Sequence, residues 1–228
     1  MTAADRLIVA LDHTELAPAL RLARRLRGLV RTVKIGSVLF TASGPAAIDR
    51  LRGLGFRVML DLKFFDIPNT VELSCRAAAR HRVSLVTVHA LGGPEMLRAA
   101  VRGARTGAAR GARPLVLAVT VLTSAPASVR RVVHLAQTAA ASGCDGVVAS
   151  AREIRRLRTA LSRRITVVCP GIRPAGAARQ DQRRIATPAR AIADGADWLV
   201  IGRPITEADD PRAAVRAILA DMKETDGC

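Results

Sequence analysis

The chain has 228 residues, half of them apolar, and its formal net charge is +17. This length suits one α/β barrel and is short for two full domains, and no apolar run approaches the roughly 18 residues of a membrane-spanning helix. Four cysteines without CxxC or Cys/His spacing argue against a disulfide framework or zinc site, and the N-terminus lacks a signal-peptide pattern, so we expect a cytoplasmic protein with no membrane partner.

Eight short apolar runs alternate with amphipathic stretches along the chain. Each run is apolar on both faces and rich in Val, Leu or Ile, which is typical of strands in a buried parallel sheet. The predicted strands are Leu7–Leu11, Thr32–Ile35, Arg57–Leu62, Leu85–His89, Pro114–Thr120, Gly146–Ala149, Thr166–Cys169 and Trp198–Ile201.

The intervals between these strands carry apolar residues at helical spacing. Gly44-Pro45, Gly92-Gly93-Pro94 and Thr187-Pro188 predict helix starts, with proline in the first turn. Eight strand–helix units without a linker predict a single (β/α)₈ TIM barrel domain over residues 1–228.

Polar residues interrupt the strand ends, where such barrels carry their functional side chains. Strand 1 ends at Asp12, strand 2 contains Lys34, and strand 3 continues into Asp61-Leu62-Lys63-Phe64-Phe65-Asp66. Residues two apart on a strand point the same way, so we expect Asp61 and Lys63 to project together. Neighbouring carboxylates favour the charged form of a lysine, which yields an ammonium able to protonate a strongly basic centre such as the carbanion left by decarboxylation.

The choice of basic residue supports this interpretation. Arginine supplies nearly all the positive charge, in pairs such as Arg130-Arg131 and Arg155-Arg156 that predict solvated helix faces, and Lys34 and Lys63 are two of only three lysines. An ammonium is compact and can give up a proton, whereas a guanidinium holds its proton. Two alternatives stay open: a structural salt-bridge network at the barrel mouth, and Asp12 as the cap of the next helix.

A second polar group follows strands 7 and 8. Pro170-Gly171-Ile172-Arg173 comes after strand 7, and strand 8 ends in Ile201-Gly202-Arg203-Pro204. These two loops commonly bind phosphate in such barrels, where a glycine amide and a guanidinium can both donate to an oxyanion. The alternative for Arg203 is a surface salt bridge.

These segments resemble the orotidine 5′-monophosphate decarboxylase family, in family order over nearly the whole chain. The block from Asp61 to Val71 is the most specific. The matching segments are Val9–Asp12, Val33–Gly36, Asp61–Val71, Val88–Ala90, Val121–Ser124, Pro170–Arg173, Asp181–Arg184 and Ile201–Pro204.

The resemblance implies decarboxylation of orotidine 5′-monophosphate to uridine 5′-monophosphate and CO₂, the last step of de novo UMP synthesis, without a metal or organic cofactor. Lys63 is implied as the proton donor in a charged array with Asp61, Asp66 and Lys34. The implied substrate-binding residues are Asp12 and Lys34 for the ribose, Thr123 for the pyrimidine, and Arg173, Gln182, Gly202 and Arg203 for the phosphate. The resemblance also implies a homodimer with shared active sites, in which Asp66, Ile67 and Thr70 reach the partner.

One stretch departs from the family pattern. Ala125-Pro126-Ala127-Ser128 leads almost directly to the helix at Val129, so we expect a shortened loop after Thr123.

Two other functions compete with this interpretation. Related barrels with the same Asp-x-Lys-x-x-Asp motif act on sugar phosphates and generally use Mg²⁺, although the segment from Ile67 to Val71 favours the pyrimidine enzyme. The charge alone suggests a nucleic-acid-binding protein, but stacking aromatics and a localised basic stripe are missing, so no nucleic-acid partner is expected.

Overall fold

The computed structural model describes residues 1–108, 113–122, 125–174 and 186–223. The strands are β1 (Leu7–Ala10), β2 (Thr32–Gly36), β3 (Arg57–Phe64), β4 (Leu85–His89), β5 (Leu115–Val119), β6 (Gly146–Val148), β7 (Thr166–Pro170) and β8 (Trp198–Ile201). The helices in these residues are α1 (Ala3–Arg6), α2 (Leu16–Leu26), α3 (Ser37–Ser43), α4 (Ala46–Gly53), α5 (Pro68–Arg80), α6 (Gly93–Gly107), α7 (Val129–Ala141), α8 (Ile154–Ala160), α9 (Pro188–Ala193), α10 (Arg203–Thr206) and α11 (Pro211–Lys223), with 3₁₀ turns at Ala90–Gly92 and Ala151–Glu153.

The eight strands form a closed parallel barrel in chain order, and β8 pairs with β1. Helices follow the strands around the outside, which confirms the predicted (β/α)₈ TIM barrel. All the carboxyl ends of the strands therefore meet at one mouth of the barrel, where the polar strand-end residues were expected to gather.

The strand ends differ from the predictions by up to two residues. The strands β2 and β7 run one residue further and β3 runs two residues further, whereas β5 is one residue shorter at each end. Apolarity marks where a strand is buried, but hydrogen bonding to its neighbours decides where it ends. The predicted helix starts are confirmed with proline in the first turn of α6 and α9, whereas Pro45 is the N-cap residue of α4. Thr187 caps α9 by accepting a hydrogen bond from the Arg190 amide.

Two apolar layers hold the barrel together. Inward-facing residues such as Ile8, Met59 and Val168 fill its interior, and a larger outer layer packs the strands against the helices. Trp198 belongs to the inner layer, with the Arg57 guanidinium 5.9 Å from the centre of its ring. Most side chains in both layers are aliphatic, which agrees with the scarcity of aromatic residues in the sequence, because branched aliphatic side chains fill the layers of such barrels.

Arginines also join neighbouring strands at their amino-terminal ends. Arg113 makes two hydrogen bonds of 2.7 and 2.8 Å to the Asp145 carboxylate, which accepts from the Val116 amide in turn. Arg158 donates to the carbonyls of Gly195 and Ile165. The pairs Arg130-Arg131 and Arg155-Arg156 are exposed on helices, as predicted. Arg113 and Arg158 lie outside the predicted pairs, and their planar, forked donors link chain segments instead.

No helix in the described part of the chain combines the length and apolarity needed to cross a membrane.

A close approach of α6 to α5 in the outer shell depends on a glycine. A Cβ built on Gly103 of α6 would lie 2.1 Å from the backbone oxygen of Glu72 in α5. Because that neighbour is backbone, it cannot move away as a flexible side chain would. By contrast, a Cβ on Gly53 of α4 meets nothing within 4 Å.

We expect Gly103→Ala to lower the free energy of unfolding by about 1–3 kcal/mol through overpacking. Gly53→Ala, the matched control, is expected to leave it unchanged or to raise it by up to about 1 kcal/mol, since alanine is the better helix former. Urea titration followed by circular dichroism measures both. Equal effects of the two substitutions would contradict the close-approach argument.

Candidate active site

A cavity of about 570 Å³ opens at the carboxyl ends of the strands. Its floor is made of inward-facing apolar side chains, among them Ala10, Met59, Val119, Val148 and Val200. Charged side chains stand above this floor. They are Asp12, Lys34, Asp61, Lys63, Arg173, Arg203 and Glu207.

Asp61 lies between two lysines. Its Oδ2 is 3.0 Å from Lys63 Nζ and 3.4 Å from Lys34 Nζ. The side chains of Asp61 and Lys34 are each only 11 % exposed, while that of Lys63 is 37 % exposed. The structure thus brings together Lys34, Asp61 and Lys63 of the predicted array, but not Asp66, and Lys63 is the most exposed of the three.

Asp12 extends this line of alternating charges. Lys34 Nζ donates to Asp12 Oδ1 at 3.1 Å, so the order of charges is Asp12, Lys34, Asp61, Lys63. The alternative that Asp12 caps the next helix is wrong, because Glu15 occupies the N-cap of α2 and no side chain caps it. Gly36 leaves the necessary space, since a Cβ there would lie 3.0 Å from both Asp12 Oδ1 and Lys34 Nζ.

An irregular register between β3 and β4 sets the direction of the Lys63 side chain. Leu60 pairs with Val86 and Phe64 with Val88, so three residues of β3 lie opposite Thr87 alone. Lys63 adopts φ +51°, in the left-handed region that few non-glycine residues enter. Asp61 and Lys63 do project together, but the expected cause, simple alternation along a strand, is wrong. A bulge re-aims the lysine instead.

Thr87 links the two ends of this bulge. Its hydroxyl accepts a hydrogen bond from the Lys63 amide and donates one to Asp61 Oδ1, both at 2.9 Å. Sequence reasoning missed this residue. The available signal was a hydroxyl within an apolar strand, two residues before His89 and hence on the same face.

Electrostatics keeps Asp61 charged. Burial by itself raises the pKa of Asp61, but the positive charges of Lys34 and Lys63, with hydrogen bonds from Lys63 and Thr87, outweigh it and hold this pKa below the usual range. Asp61 is therefore a carboxylate over the physiological pH range, and its charge holds both ammonium groups in place.

His89 and the three buried cysteines are neutral. Burial first, and then the positive charge of Lys63, lower the pKa of His89, whose Nδ1 accepts from the Leu91 amide at 3.4 Å. Burial raises the pKa of Cys75, Cys144 and Cys169 to about 12, so these thiols stay protonated and unreactive. None of these four groups lines the cavity, whereas Lys63 does.

The loops after β7 and β8 supply further positive charge to the cavity wall. Gly202, Arg203 and the largely buried Arg173 all line it. The Arg173 amide donates to the Ala186 carbonyl at 3.1 Å, which joins the two described ends of the loop after β7. A glycine amide and two guanidinium groups form a suitable cradle for a phosphate.

Three predicted residues lie away from this cavity within the chain. Asp66, Ile67 and Thr70 are exposed on the loop after β3 and the start of α5, and the Asp66 carboxylate accepts a hydrogen bond from the Ile67 amide at 2.6 Å. Thr123 and Gln182 lie outside the described residues, so their predicted contacts with the pyrimidine and the phosphate stay predictions.

Among the described residues, no three His, Cys, Asp or Glu side chains converge in a way that could hold a metal ion.

Comparisons with known proteins give one consistent family. Residues 5–218 match the model of the "Orotidine 5'-phosphate decarboxylase / HUMPS family". Proteins named orotidine 5'-phosphate decarboxylase from Moorella thermoacetica and Halorhodospira halophila are 47 % and 50 % identical to the chain, covering 98 % and 95 % of it and 94 % and 95 % of their own length. The crystal structure of the protein of that name from Lactobacillus acidophilus superposes with a TM-score of 0.85 at 36 % identity, covering 96 % of this chain and 99 % of that one.

The charged array leads to a prediction about the pKa of Asp61 and the stability of the fold. Lys34→Met removes one of the two ammonium groups that lower the Asp61 pKa, so this pKa is expected to rise. A depressed carboxyl pKa stabilises the fold above the unfolded-state pKa, and this contribution is lost as the pH falls through the folded-state pKa. At neutral pH, Lys34→Met should therefore lower the free energy of unfolding, by about 3 kcal/mol.

Carboxyl ¹³C NMR across a pH titration follows Asp61 directly, and urea unfolding gives the stability. Lys223→Met is the matched control, because Lys223 lies on the exposed face of α11. An unchanged Asp61 titration in Lys34→Met would remove Lys34 from the array.

Proposed function

The chain belongs to the orotidine 5′-phosphate decarboxylase / HUMPS family, and we propose that it converts orotidine 5′-monophosphate to uridine 5′-monophosphate and CO₂, the last step of de novo UMP synthesis. The observation that carries this function is the Lys63 ammonium, which lies 3.0 Å from a buried carboxylate and lines a cavity that Arg173 and Arg203 also line.

The chemistry follows from these charges. The bond between the pyrimidine carbon and the carboxylate breaks, CO₂ leaves, and the electron pair stays on the carbon. The Lys63 ammonium stabilises this developing carbanion electrostatically and then donates its proton to the carbon. Asp61 fixes the ammonium, and its negative charge disfavours a substrate carboxylate bound beside it. The reaction is complete without an electron acceptor, which agrees with the proposal that no cofactor takes part.

The nucleotide is proposed to lie across the mouth of the barrel. Asp12 and Lys34 bind the ribose hydroxyls, while the base rests on the apolar floor, where Thr123 contacts it. Arg173, Gln182, Gly202 and Arg203 bind the phosphate. The excess positive charge of the chain helps to collect the anionic substrate.

We also propose that the chain acts as a homodimer with shared active sites. Asp66, Ile67 and Thr70 are exposed, and Ile67 and its neighbour Phe65 present apolar surface that is 66 % and 60 % exposed. Apolar surface beside a functional loop is typical of a site that a partner covers. A second copy that covers this loop receives Asp66 beside its own Lys63, which completes the charged array.

Three further features belong to the proposal. The whole chain, residues 1–228, acts as one domain; it functions in the cytoplasm; and nucleic acid and membranes are not its partners. Protonated, buried thiols suit a reducing compartment.

The rival within the family is Mg²⁺-dependent chemistry on sugar phosphates. The relatives at 43–50 % identity that carry the decarboxylase name favour the pyrimidine substrate.

The first test is the loss of orotidine 5′-monophosphate absorbance on adding purified protein, with and without EDTA, and identification of the product. Rapid loss that EDTA does not affect, with uridine 5′-monophosphate formed, is the expected result. A folded protein that leaves this nucleotide unchanged, or that stops on chelation, would favour the sugar-phosphate rival.

Lys63→Ala is expected to lower kcat by at least about a thousandfold, because the proton donor and the main stabilising charge are both removed. Lys223→Ala is the matched control and should turn over like the wild type. Circular dichroism and the Tm of each variant establish that it is folded. Wild-type-like turnover by Lys63→Ala would exclude the proton-donor role.

Shared sites can be tested by mixing two inactive variants. Co-expression of Lys63→Ala and Asp66→Asn chains with different tags should restore roughly a quarter of the wild-type activity, since half of the dimers formed at random are mixed and each has one wild-type site. Co-expression of Lys63→Ala with Lys34→Ala is the control and should restore none, because both changes fall in the site of their own chain. Failure of the first mixture to recover activity would argue against the exchange of Asp66.

A further inference from the structure

Thr87 contacts two members of the charged array, Asp61 and Lys63. It lies at the centre of β4 and is fully buried, so it is not exposed to the cavity. Its Oγ1 atom is 2.9 Å from the Lys63 amide nitrogen and 2.9 Å from Asp61 Oδ1. One hydroxyl therefore contacts the backbone of the lysine and the carboxylate that pairs with its ammonium.

We propose that Thr87 is a positioning residue for the decarboxylation, which sets the direction of the Lys63 side chain and the orientation of the Asp61 carboxylate. This inference rests on the proposed function and adds to it a residue that never touches the substrate.

The backbone of Lys63 explains why a positioning residue is needed. Its left-handed conformation costs a non-glycine residue about 1–2 kcal/mol, so surrounding contacts must maintain it. The bulge removes the regular ladder partner of the Lys63 amide, and the Thr87 hydroxyl accepts from it instead. If the hydroxyl is lost, this amide has no acceptor there, and the segment can relax toward a regular strand that turns Lys63 away from its present direction.

The polarity of the hydrogen bonds adds a second effect. Because the Lys63 amide donates to Oγ1, the hydroxyl proton points toward Asp61 Oδ1. A hydroxyl donates more strongly to a carboxylate than to a neutral acid, so this contact favours the charged form of Asp61. In the same direction, the Thr87 hydrogen bond is one of the contributions that lower the Asp61 pKa. The hydroxyl thus couples the backbone of the proton donor to the charge state of its partner.

The test compares Thr87→Val, Thr87→Ser and Thr87→Cys with the wild type. Valine has nearly the shape of threonine without the hydroxyl, serine keeps the hydroxyl, and cysteine offers only a weak donor and acceptor. Thr120→Val is the matched control, because Thr120 is equally buried after the neighbouring β5 and its hydroxyl donates only to the Val148 carbonyl, at 3.0 Å.

We expect Thr87→Val to lower kcat by about 10- to 100-fold, since small displacements of a catalytic group have effects of this size. The affinity for the product uridine 5′-monophosphate and the KM should change little, because Thr87 does not touch the nucleotide. The acidic limb of the pH–kcat profile should move to higher pH, because Asp61 loses a contact that favours its carboxylate. Thr87→Ser should recover most of the activity, Thr87→Cys should lie between serine and valine, and Thr120→Val should match the wild type.

Each other outcome has a separate meaning. If Thr87→Val turns over like the wild type with an unchanged acidic limb, Thr87 is not a positioning residue. If Thr87→Val and Thr120→Val lower activity and Tm by equal amounts, Thr87 is merely structural. If Thr87→Val does not fold, the inference requires that Thr87→Cys shows the shift of the acidic limb, and it fails otherwise. If the wild type itself does not convert the nucleotide, the proposed function fails.

Discussion

The buried carboxylate of Asp61 is the charge on which the arrangement of the barrel mouth depends. Burial of a lone carboxylate costs several kcal/mol, and this cost is offset only by close opposite charges and hydrogen bonds. Two ammonium groups and one hydroxyl supply them here. Because these compensating groups lie 2.9 to 3.4 Å from the carboxylate, the positions of Asp61, Lys34, Lys63 and Thr87 depend on one another.

The fold was largely predictable because parallel barrels require strands that are apolar on both faces. The run Leu85–His89 was predicted with its observed bounds, whereas β3 extends two residues beyond its prediction. Those two residues belong to the bulge. Apolarity does not encode such an irregularity, since it depends on how β4 pairs with β3 and on a single hydroxyl between them.

The candidate site was predictable to a similar degree. Charged residues at apolar strand ends identified Asp12, Lys34, Asp61 and Lys63, and the structure brings these four together. Asp66 could not be placed by the same reasoning, because its expected partner lies in another copy of the chain. Thr87 was overlooked because a threonine in a strand is ordinary, and only its two hydrogen bonds distinguish it.

The chain divides its basic residues by physical role. Guanidinium groups such as that of Arg158 bridge carbonyls and carboxylates at the amino-terminal ends of the strands, a task that needs several fixed donors. The ammonium groups of Lys34 and Lys63 lie at the carboxyl ends, where a single mobile proton matters, together with the guanidinium groups of Arg173 and Arg203. Structural cohesion and chemistry therefore lie at opposite ends of the barrel, as is common for this fold.

The scarcity of lysine has a practical consequence for labelling. With three lysines in the chain, amine-directed reagents have few targets besides the N-terminus. Lys223 is exposed, whereas the side chains of Lys63 and Lys34 are 37 % and 11 % exposed and paired with Asp61. Among the lysines, mild reductive methylation with ¹³C-formaldehyde therefore introduces methyl groups at Lys223 first, at Lys63 later and at Lys34 last. The protein thus carries its own sparse set of NMR probes, two of them inside the charged array, without any engineered substitution.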